Sequence, residues 1–346
     1  MKKQRITLND IAVLAGVTKM TVSRYLRTPE KVKADTAERI ASVIEEVGFE
    51  PDADNPQITS QSIPRIGVLV PSFNNQIFSD LLAGIEGVAE AQGYQTLVVT
   101  YDYSLQKEEE QIAALLAFNI KALLLTDTAH SLRAEKYLNA AKIPIAEVMG
   151  LATHPDRINV GFDNRQAGYQ ATRALIDSGR RHIAYFGSMS DLRDQQRYQG
   201  YCAALEEEGL VATHISPQKV SSIKTGATMM QQALHSVPTL DAIFCTNDDL
   251  AVGVLRACQA ASLNVPEHIA IIGFHGLEIG QITTPRLTSI QTPRYEVGKC
   301  ATELLLQRVQ GKDTSSQVIL PTRFLHGDTF RANTNPDETL SGSRYP

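Results

Sequence analysis

The sequence contains few cysteines, and their spacing is not that of a disulfide framework or a zinc site. The four cysteines are far apart, none forms a C-x-x-C pair, and each lies in an apolar stretch. Cysteine in such surroundings usually behaves as a small core residue. We therefore expect all four to be structural: Cys202, Cys245, Cys258 and Cys300.

Long hydrophobic runs are also missing. No stretch approaches the roughly 20 apolar residues that span a bilayer. The opening residues, MKKQRITLNDIAVLAG, lack the uninterrupted apolar segment of a secretory signal. We therefore expect a cytoplasmic protein with no membrane partner.

The signatures of common enzymes are not found. No predicted strand is followed by the G-x-G-x-x-G fingerprint of dinucleotide binding, and no nucleophile-and-base set or metal-ligand spacing stands out. We therefore expect no enzyme activity, no cofactor and no metal. A dehydrogenase remains the enzymatic alternative, which a turnover assay with a nicotinamide cofactor would test.

Charge is distributed unevenly along the chain. The 346 residues carry a formal net charge of −5, yet the first 33 contain eight basic and only two acidic residues. A compact basic patch on an acidic protein indicates a polyanionic partner, although a solvated basic tail would look the same by charge alone. The local structure of this segment therefore has to distinguish a patch that binds a polyanion from a solvated basic tail.

The beginning of the chain has the pattern of a capped helix. Thr7 followed by Asp10 resembles a capping box, and apolar residues then recur at helical spacing. This predicts a helix over Leu8–Ala15. Gly16 would end it, since glycine is preferred where a chain leaves a helix with positive φ.

A second helix follows after a very short turn. Thr18 can cap it, and Val17 and Val22 occupy the two positions of a hydrophobic staple. Two helices joined in this way form a helix-turn-helix. A third amphipathic helix completes the small core through Ala37, Ile40, Ile44 and Val47, and ends at Gly48.

The second helix, within GVTKMTVSRYLR, has two distinct faces. Val22 and Leu26 can pack against the partner helix. A helix of this length can also be a structural corner in any α-helical protein. Its position in a basic N-terminal segment favours DNA recognition instead. The opposite face carries Lys19, Met20, Thr21 and Arg24.

The chain changes character after a polar, proline-interrupted linker that runs to Pro64. Short β-rich runs then alternate with helical stretches, which predicts βαβ units and parallel sheets. The series is too long for one sheet and divides near residues 160–165. Ligands of such folds bind outside the carboxyl ends of the strands.

These segments resemble the lactose-repressor (LacI) family. The resemblance rests on TLNDIAVLAGVTKMTVSRYLRTPEKV and continues through GFDNRQAG, RYQGY, CTNDDLAVG and GFHG. Their combination is most similar to the regulators of gluconate and idonate utilisation. The resemblance implies a homodimer that binds near-palindromic operator DNA through a three-helix headpiece, and a two-lobed α/β core related to periplasmic sugar-binding proteins. It also implies these boundaries: headpiece 1–50, hinge 51–64, N-terminal lobe 65–162 and 293–322, C-terminal lobe 163–292 and 323–331, and a disordered tail 332–346.

The hinge departs from the family pattern. The family usually has Asn-Arg-x-Ala and a leucine wedge, whereas this chain has Asp52-Ala53-Asp54-Asn55 and Ile58. Carboxylates repel phosphates, and Pro56 limits helix formation, so we expect a weaker hinge contribution to DNA binding. The DNA-contacting residues that the resemblance implies are Thr7, Thr18, Lys19, Met20, Thr21, Ser23, Arg24, Arg27 and Ile58.

The resemblance also implies an effector site. His275 stands where relatives that bind neutral sugars usually have aspartate, and this exchange favours an anionic ligand such as gluconate, idonate, or a keto- or phospho-derivative. Phe78 is equally compatible with stacking on the ligand or with the core. The ligand-binding residues that the resemblance implies are Arg193, Arg197, Asn247 and His275. Positions after predicted strands add further candidate ligand-binding residues: Phe73, Asn74 and Gln76 for stacking and hydrogen bonds, and the carboxylates Glu147 and Asp163, to which no role is assigned.

The sequence therefore predicts a ligand-responsive repressor of a sugar-acid operon. The alternatives are a regulator that responds to a different sugar or phosphosugar, and a sugar-binding receptor without a DNA function. The tail has no leucine-rich helix of the kind that makes tetramers in the family, so we expect a dimer.

Overall fold

The computed structural model describes residues 8–47, 63–152, 154–188, 191–217 and 219–332. The chain forms two compact units, Met1–Ile63 and Pro64–Pro346, which we treat separately. The predictions for Thr7, the 51–62 part of the hinge with Ile58, the side chain of Arg27, and the tail beyond residue 332 lie outside the described residues. Within the described ranges, no helix combines the length and apolar character needed to cross a membrane.

The N-terminal unit is a three-helix headpiece. Its small core joins the helices through Ile11, Ala12, Ala15, Val22 and Ile40. A short 3-10 turn at Pro29–Lys31 separates the second helix from the third. The helices are α1 (Leu8–Leu14), α2 (Lys19–Arg27) and α3 (Ala34–Val47).

The turn between α1 and α2 contains the predicted helix-ending glycine and the predicted capping threonine. α1 ends at Leu14, one residue before the predicted end, and Gly16 leaves it with a φ of 63°. A non-glycine residue would be strained in this left-handed conformation. Thr18 then caps α2 by accepting a hydrogen bond of 3.2 Å from the Thr21 amide.

The second unit contains two six-stranded sheets. The N-terminal lobe has the strand order β11-β5-β4-β3-β1-β2, and the C-terminal lobe has β12-β10-β9-β8-β6-β7. All neighbouring strands are parallel except β10 and β12, which pair antiparallel. The strands are β1 (Arg65–Val70), β2 (Gln95–Thr100), β3 (Ala122–Leu125), β4 (Ile145–Val148), β5 (Ile158–Gly161), β6 (Ile183–Phe186), β7 (Thr213–Ile215), β8 (Ala242–Cys245), β9 (Ala270–His275), β10 (Thr288–Gln291), β11 (Gln317–Ile319) and β12 (Arg323–Leu325).

Helices cover the faces of both sheets, as the alternating pattern predicts. The strands are consequently buried along nearly their whole length in the centre of each sheet. The helices are α4 (Ile77–Ala91), α5 (Leu105–Ala117), α6 (Leu132–Ala140), α7 (Asn164–Asp177), α8 (Leu192–Glu206), α9 (Ile223–Ser236), α10 (Asp248–Ala260), α11 (Glu278–Gln281) and α12 (Arg294–Val309).

The chain passes between the lobes three times. β5 is followed by α7, β10 by α12, and β11 by β12, and the short connections lie at residues 162–163, 292–293 and 320–322. α12 returns to the N-terminal lobe and packs closely on α4. A Cβ on Gly84 would lie 2.2 Å from the Tyr295 carbonyl oxygen, so only glycine permits this approach.

The four cysteines are free thiols. Cys245 and Cys258 are buried, and Cys202 and Cys300 are half-buried. Burial raises the pKa of the Cys258 thiol to about 12. These positions agree with the structural role expected from their apolar surroundings.

Candidate DNA-binding face and effector cleft

The second helix of the headpiece presents a polar face to solvent. Val22 on its inner side is completely buried, while Lys19 and Arg24 are exposed. Met20 is 71 % exposed and lies between these two cations in the sequence of the helix. An exposed methionine between cations can contact a thymine methyl in the major groove. The arrangement is that of a recognition helix.

A cleft lies between the two lobes of the second unit, and the space between its lining atoms, including open solvent at its mouth, is about 450 Å³. It opens where strands of both sheets end, as expected for a parallel α/β fold. The lining residues are Asn75, Ile77, Phe78, Tyr103, Met149, Ser188, Asp191, Arg193, Arg197, Val220, Ser221, Thr246, Asn247 and His275.

Arg197 brings a charged group to the cleft without a carboxylate partner. It belongs to α8 and is only 5 % exposed. Its Nε donates to Thr246 Oγ1 at 2.9 Å and its Nη1 to Asn164 Oδ1 at 2.7 Å, and both acceptors are neutral. The guanidinium also lies 4.7 Å from the centre of the Phe274 ring. Among the described residues it forms no ion pair, so the site holds a buried cation that an anionic ligand would neutralise.

His275 adds a neutral polar group. Burial, together with the nearby Arg197 and Arg294, lowers the pKa of His275 well below its ordinary value. The ring Nδ1 lies 3.0 Å from Thr292 Oγ1, which itself accepts a hydrogen bond from Arg294. The threonine hydroxyl can therefore donate to Nδ1, an arrangement that favours the tautomer with its proton on Nε2. The backbone φ of 99° at this residue is strained, as is common where side chains are held for function.

Asn247 contributes an unused acceptor. Its Nδ2 donates to Ser221 Oγ at 2.9 Å, and Ser221 donates onward to Asp249. Its Oδ1 is buried and has no hydrogen-bond partner among the described residues. A buried acceptor without a partner costs free energy, which a hydroxyl group of a ligand would recover.

Arg193 lines the cleft, but its donors already have acceptors. Its Nη1 donates to the Thr126 carbonyl oxygen at 2.8 Å, and its Nη2 donates to Asp191 Oδ2 at 3.0 Å. Although burial opposes ionisation, Arg193 and Arg197 hold the pKa of Asp191 below its ordinary value. Arg193 and Asp191 therefore form a buried pair whose charges compensate.

Two family comparisons match this architecture. Residues 63–329 match the family described as periplasmic binding proteins and sugar binding domain of LacI family, and residues 7–52 match the bacterial regulatory proteins of the lacI family. The chain belongs to the LacI family. It is a DNA-binding transcriptional regulator with a helix-turn-helix headpiece and a two-lobed effector core.

Individual relatives agree with this placement over most of the chain. The HTH-type transcriptional regulator IdnR of Escherichia coli K12 is 44 % identical over 95 % of this chain and all of its own. GntR of the same strain is 43 % identical over 92 % of this chain and 96 % of its own. The crystal structure of the transcription regulator GntR from Chromobacterium violaceum superposes with a TM-score of 0.75 at 35 % identity, covering 77 % of this chain and 98 % of that one.

Five residues that were candidate ligand contacts because of their positions after predicted strands do not line the cleft of this LacI-family protein. Phe73, Asn74 and Gln76 are exposed, because the loop after β1 turns their side chains outward. Asp163 caps α7 by accepting from the Gln166 amide at 2.8 Å. The fifth residue, Glu147, belongs to a buried charge cluster.

This charge cluster lies in the N-terminal lobe. Glu147 accepts from Arg157 Nη1 at 2.6 Å and lies 3.5 Å from His130 Nε2, while His130 Nδ1 lies 2.8 Å from Glu108. Arg157 also pairs with Glu135. The cluster explains why a carboxylate stands near the end of β4 although it does not face the ligand.

Sequence reasoning missed several cleft residues of this LacI-family protein. Asn75 lines the cleft in place of its neighbours, because its Oδ1 accepts from the Ile77 amide at the start of α4 and its Nδ2 donates to Tyr103 Oη. Asp191 was also missed. The sequence does contain a signal for a helix N-cap at this position. Asp191 directly precedes α8 and caps it by accepting a hydrogen bond from the Asp194 amide. Phe78 is both buried and at the cleft, so it serves core and site together.

Proposed function

We propose that this regulator is a dimeric cytoplasmic repressor of genes for the use of a gluconate- or idonate-type sugar acid, and that this acid binds in the interlobe cleft. The observation that carries the proposal is the buried guanidinium of Arg197, whose described partners are neutral. A carboxylate accepts two parallel hydrogen bonds from a guanidinium, and such bonds are about twice as strong as neutral ones. The ligand carboxylate binds Arg197.

The rest of the cleft fits the polyhydroxy chain of such an acid. Asn247 Oδ1 accepts from a hydroxyl, and neutral His275 donates through Nε2 without repelling the carboxylate. The aspartate usual at this position in relatives that bind neutral sugars would repel it. Similarity to IdnR and GntR supports the same branch of the family.

The regulatory step follows from linkage between two sites. A ligand that contacts both lobes favours one arrangement of the core over another. It can change operator affinity only by its different affinity for the two arrangements, and the coupling is reciprocal. We propose that binding of the acid releases the operator.

Isothermal titration of the full chain tests the proposal. The ligands are D-gluconate and L-idonate, with glucose and galactose as neutral controls. We expect the acids alone to bind. Arg197→Met should weaken their binding by at least about 30-fold, because truncating one partner of a buried charged hydrogen bond costs about 2–5 kcal/mol. Arg165→Met, which removes an exposed arginine of α7, is the matched control and should leave binding unchanged.

Two further measurements complete the test. His275→Asp should weaken acid binding by at least about tenfold through the added negative charge, which corresponds to about 1.4 kcal/mol. Fluorescence anisotropy with an operator selected in vitro from random DNA should show release by the acid. Binding of neutral sugars alone would exclude the sugar-acid ligand while leaving the family assignment intact.

A further inference from the structure

Arg193 connects the two lobes of the effector core across the cleft. Its backbone lies in α8 of the C-terminal lobe, and its Nη1 donates to the carbonyl oxygen of Thr126, immediately after β3 of the N-terminal lobe, at 2.8 Å. In the N-terminal sheet, β4 separates β3 from β5, which precedes the first passage between the lobes. The contact is therefore made away from the strand that leads into the first crossover.

The N-terminal lobe surrounds the end of this side chain. The guanidinium lies 5.9 Å from the centre of the Phe78 ring, and a Cβ placed on Gly150 would lie 3.9 Å from Arg193 Cγ. Arg193 as a whole is only 7 % exposed. A side chain that starts in one lobe thus contacts Phe78 and the Thr126 carbonyl oxygen of the other.

The main counter-charge of Arg193 is Asp191 of its own lobe, and Asp127 of the N-terminal lobe is the next. Asp191 Oδ2 accepts from Nη2, and Asp191 Oδ1 is fixed by the Asp194 amide at the start of α8. The guanidinium is therefore held in place by groups of the protein itself. Its hydrogen bond to Thr126 is charge-assisted and buried, which makes it one of the stronger kinds of polar contact.

We infer that Arg193 is an interlobe latch: it holds the lobes together without a ligand, through the Thr126 carbonyl, and is not the group that binds the anion. Opening the lobes breaks this hydrogen bond and exposes a side chain that is otherwise buried. The latch raises the fraction of ligand-free molecules in the closed arrangement. Because apparent affinity scales with that fraction, Arg193 strengthens ligand binding without contacting the ligand.

The experiment measures lobe separation in the ligand-free full-length protein. Dyes are attached through non-natural amino acids at Leu132 in the N-terminal lobe and Val211 in the C-terminal lobe, which are 87 % and 83 % exposed. Single-molecule energy transfer then gives the distribution of separations. We expect a major closed population in the parent protein and a shift to larger separations in Arg193→Met.

Two variants keep this measurement interpretable. Arg193→Lys retains the charge but places its donors on a single nitrogen, so it should give a distribution between the parent and Arg193→Met. Arg165→Met removes an exposed arginine from the neighbouring α7 and should leave the distribution unchanged. Circular dichroism and thermal unfolding establish that each variant is folded.

Titration with gluconate distinguishes a latch from a ligand contact. If Arg193 is a latch, Arg193→Met weakens gluconate binding by about tenfold and saturating gluconate restores the closed population. Abolished binding with an unchanged ligand-free distribution would overturn the proposal, as would a parent protein that is already as open as Arg193→Met. The ligand-free measurement does not depend on the proposed function. If the parent protein does not bind gluconate, gluconate is excluded as the effector. The ligand-free distributions of lobe separation still test the latch.

Discussion

His130 and Glu108 form a hydrogen bond of 2.8 Å in the interior of the N-terminal lobe, where both side chains are almost completely buried. Glu147 approaches the other ring nitrogen. Burial alone would lower the pKa of His130, but its contacts with Glu108 and Glu147 outweigh burial and raise the pKa to about 9. The imidazolium is therefore the form that the folded lobe stabilises.

This cluster predicts a pH-dependent stability. The unfolded pKa of histidine is about 6.5, so the stabilisation is fully present below that pH and is lost as pH rises through about 9. At most about 3 kcal/mol is involved, at 1.36 kcal/mol per pKa unit. Denaturant unfolding between pH 6 and pH 8.5 measures most of it, because at higher pH the buried Cys245 and Cys258, whose thiol pKa values are also raised, add a decline of their own. His130→Gln should remove most of the decline, whereas His182→Gln, at an exposed position, should leave it in place.

The contact between α4 and α12 predicts opposite effects for two glycines on one helix. Gly84→Ala places a Cβ 2.2 Å from the Tyr295 carbonyl oxygen, so the helices must separate, at a cost of about 2 kcal/mol or more. Gly87→Ala meets nothing closer than 3.9 Å and should stabilise the helix by up to about 1 kcal/mol. Unfolding free energies of the two variants test this. Equal effects would show that the helices are not in this close contact.

The charge balance of the cleft predicts selectivity among acids. Arg193 is compensated by Asp191, and Arg197 is the cation left for a ligand. A phosphate group adds about 1.5–2 negative charges. We therefore expect gluconate to bind at least about tenfold more tightly than 6-phosphogluconate in isothermal titration. The reverse order would mean that further cations reach the ligand.

The exposed methionine of the recognition helix predicts a loss of specificity without a loss of stability. Met20→Ala should lower affinity for the selected operator by about 1–3 kcal/mol, the range typical of one base contact, and leave affinity for scrambled DNA unchanged. Leu132→Ala, at an exposed position in the effector core, is the control. Equal weakening on both DNAs would indicate that Met20 supports the helix rather than reads a base.

The local elements of the headpiece could be predicted from sequence because each depends on near neighbours. The role of Gly16 in the turn depends only on its own φ. The capping role of Thr18 depends only on a hydrogen bond from the amide three residues later. The parallel sheets could likewise be predicted, because β-rich runs alternate with helical stretches along the chain. The strands β7, β10, β11 and β12 were not predicted, since they have only three or four residues each and are defined by pairing with other chain segments.

Roles in the cleft depend on contacts that no local pattern contains. Arg193 and Arg197 are both arginines of one helix, yet one meets Asp191 and a carbonyl of the other lobe, while the other meets neutral groups. Glu147 looked like a cleft carboxylate because it lies near the end of β4. Its actual partner Arg157 comes from the segment before β5, where the pairing is fixed by the fold and not by spacing.

The three passages between the lobes determine when each lobe can be completed during synthesis. The N-terminal lobe begins at Arg65, but α12 and its edge strand β11 come from residues 294–319. A ribosome therefore has to synthesise the chain through residue 319 before the N-terminal sheet acquires β11, and through residue 325 before the C-terminal sheet acquires β12. A late frameshift that removes residues beyond 293 would leave both lobes incomplete, whereas the headpiece, made first, lies in a unit of its own.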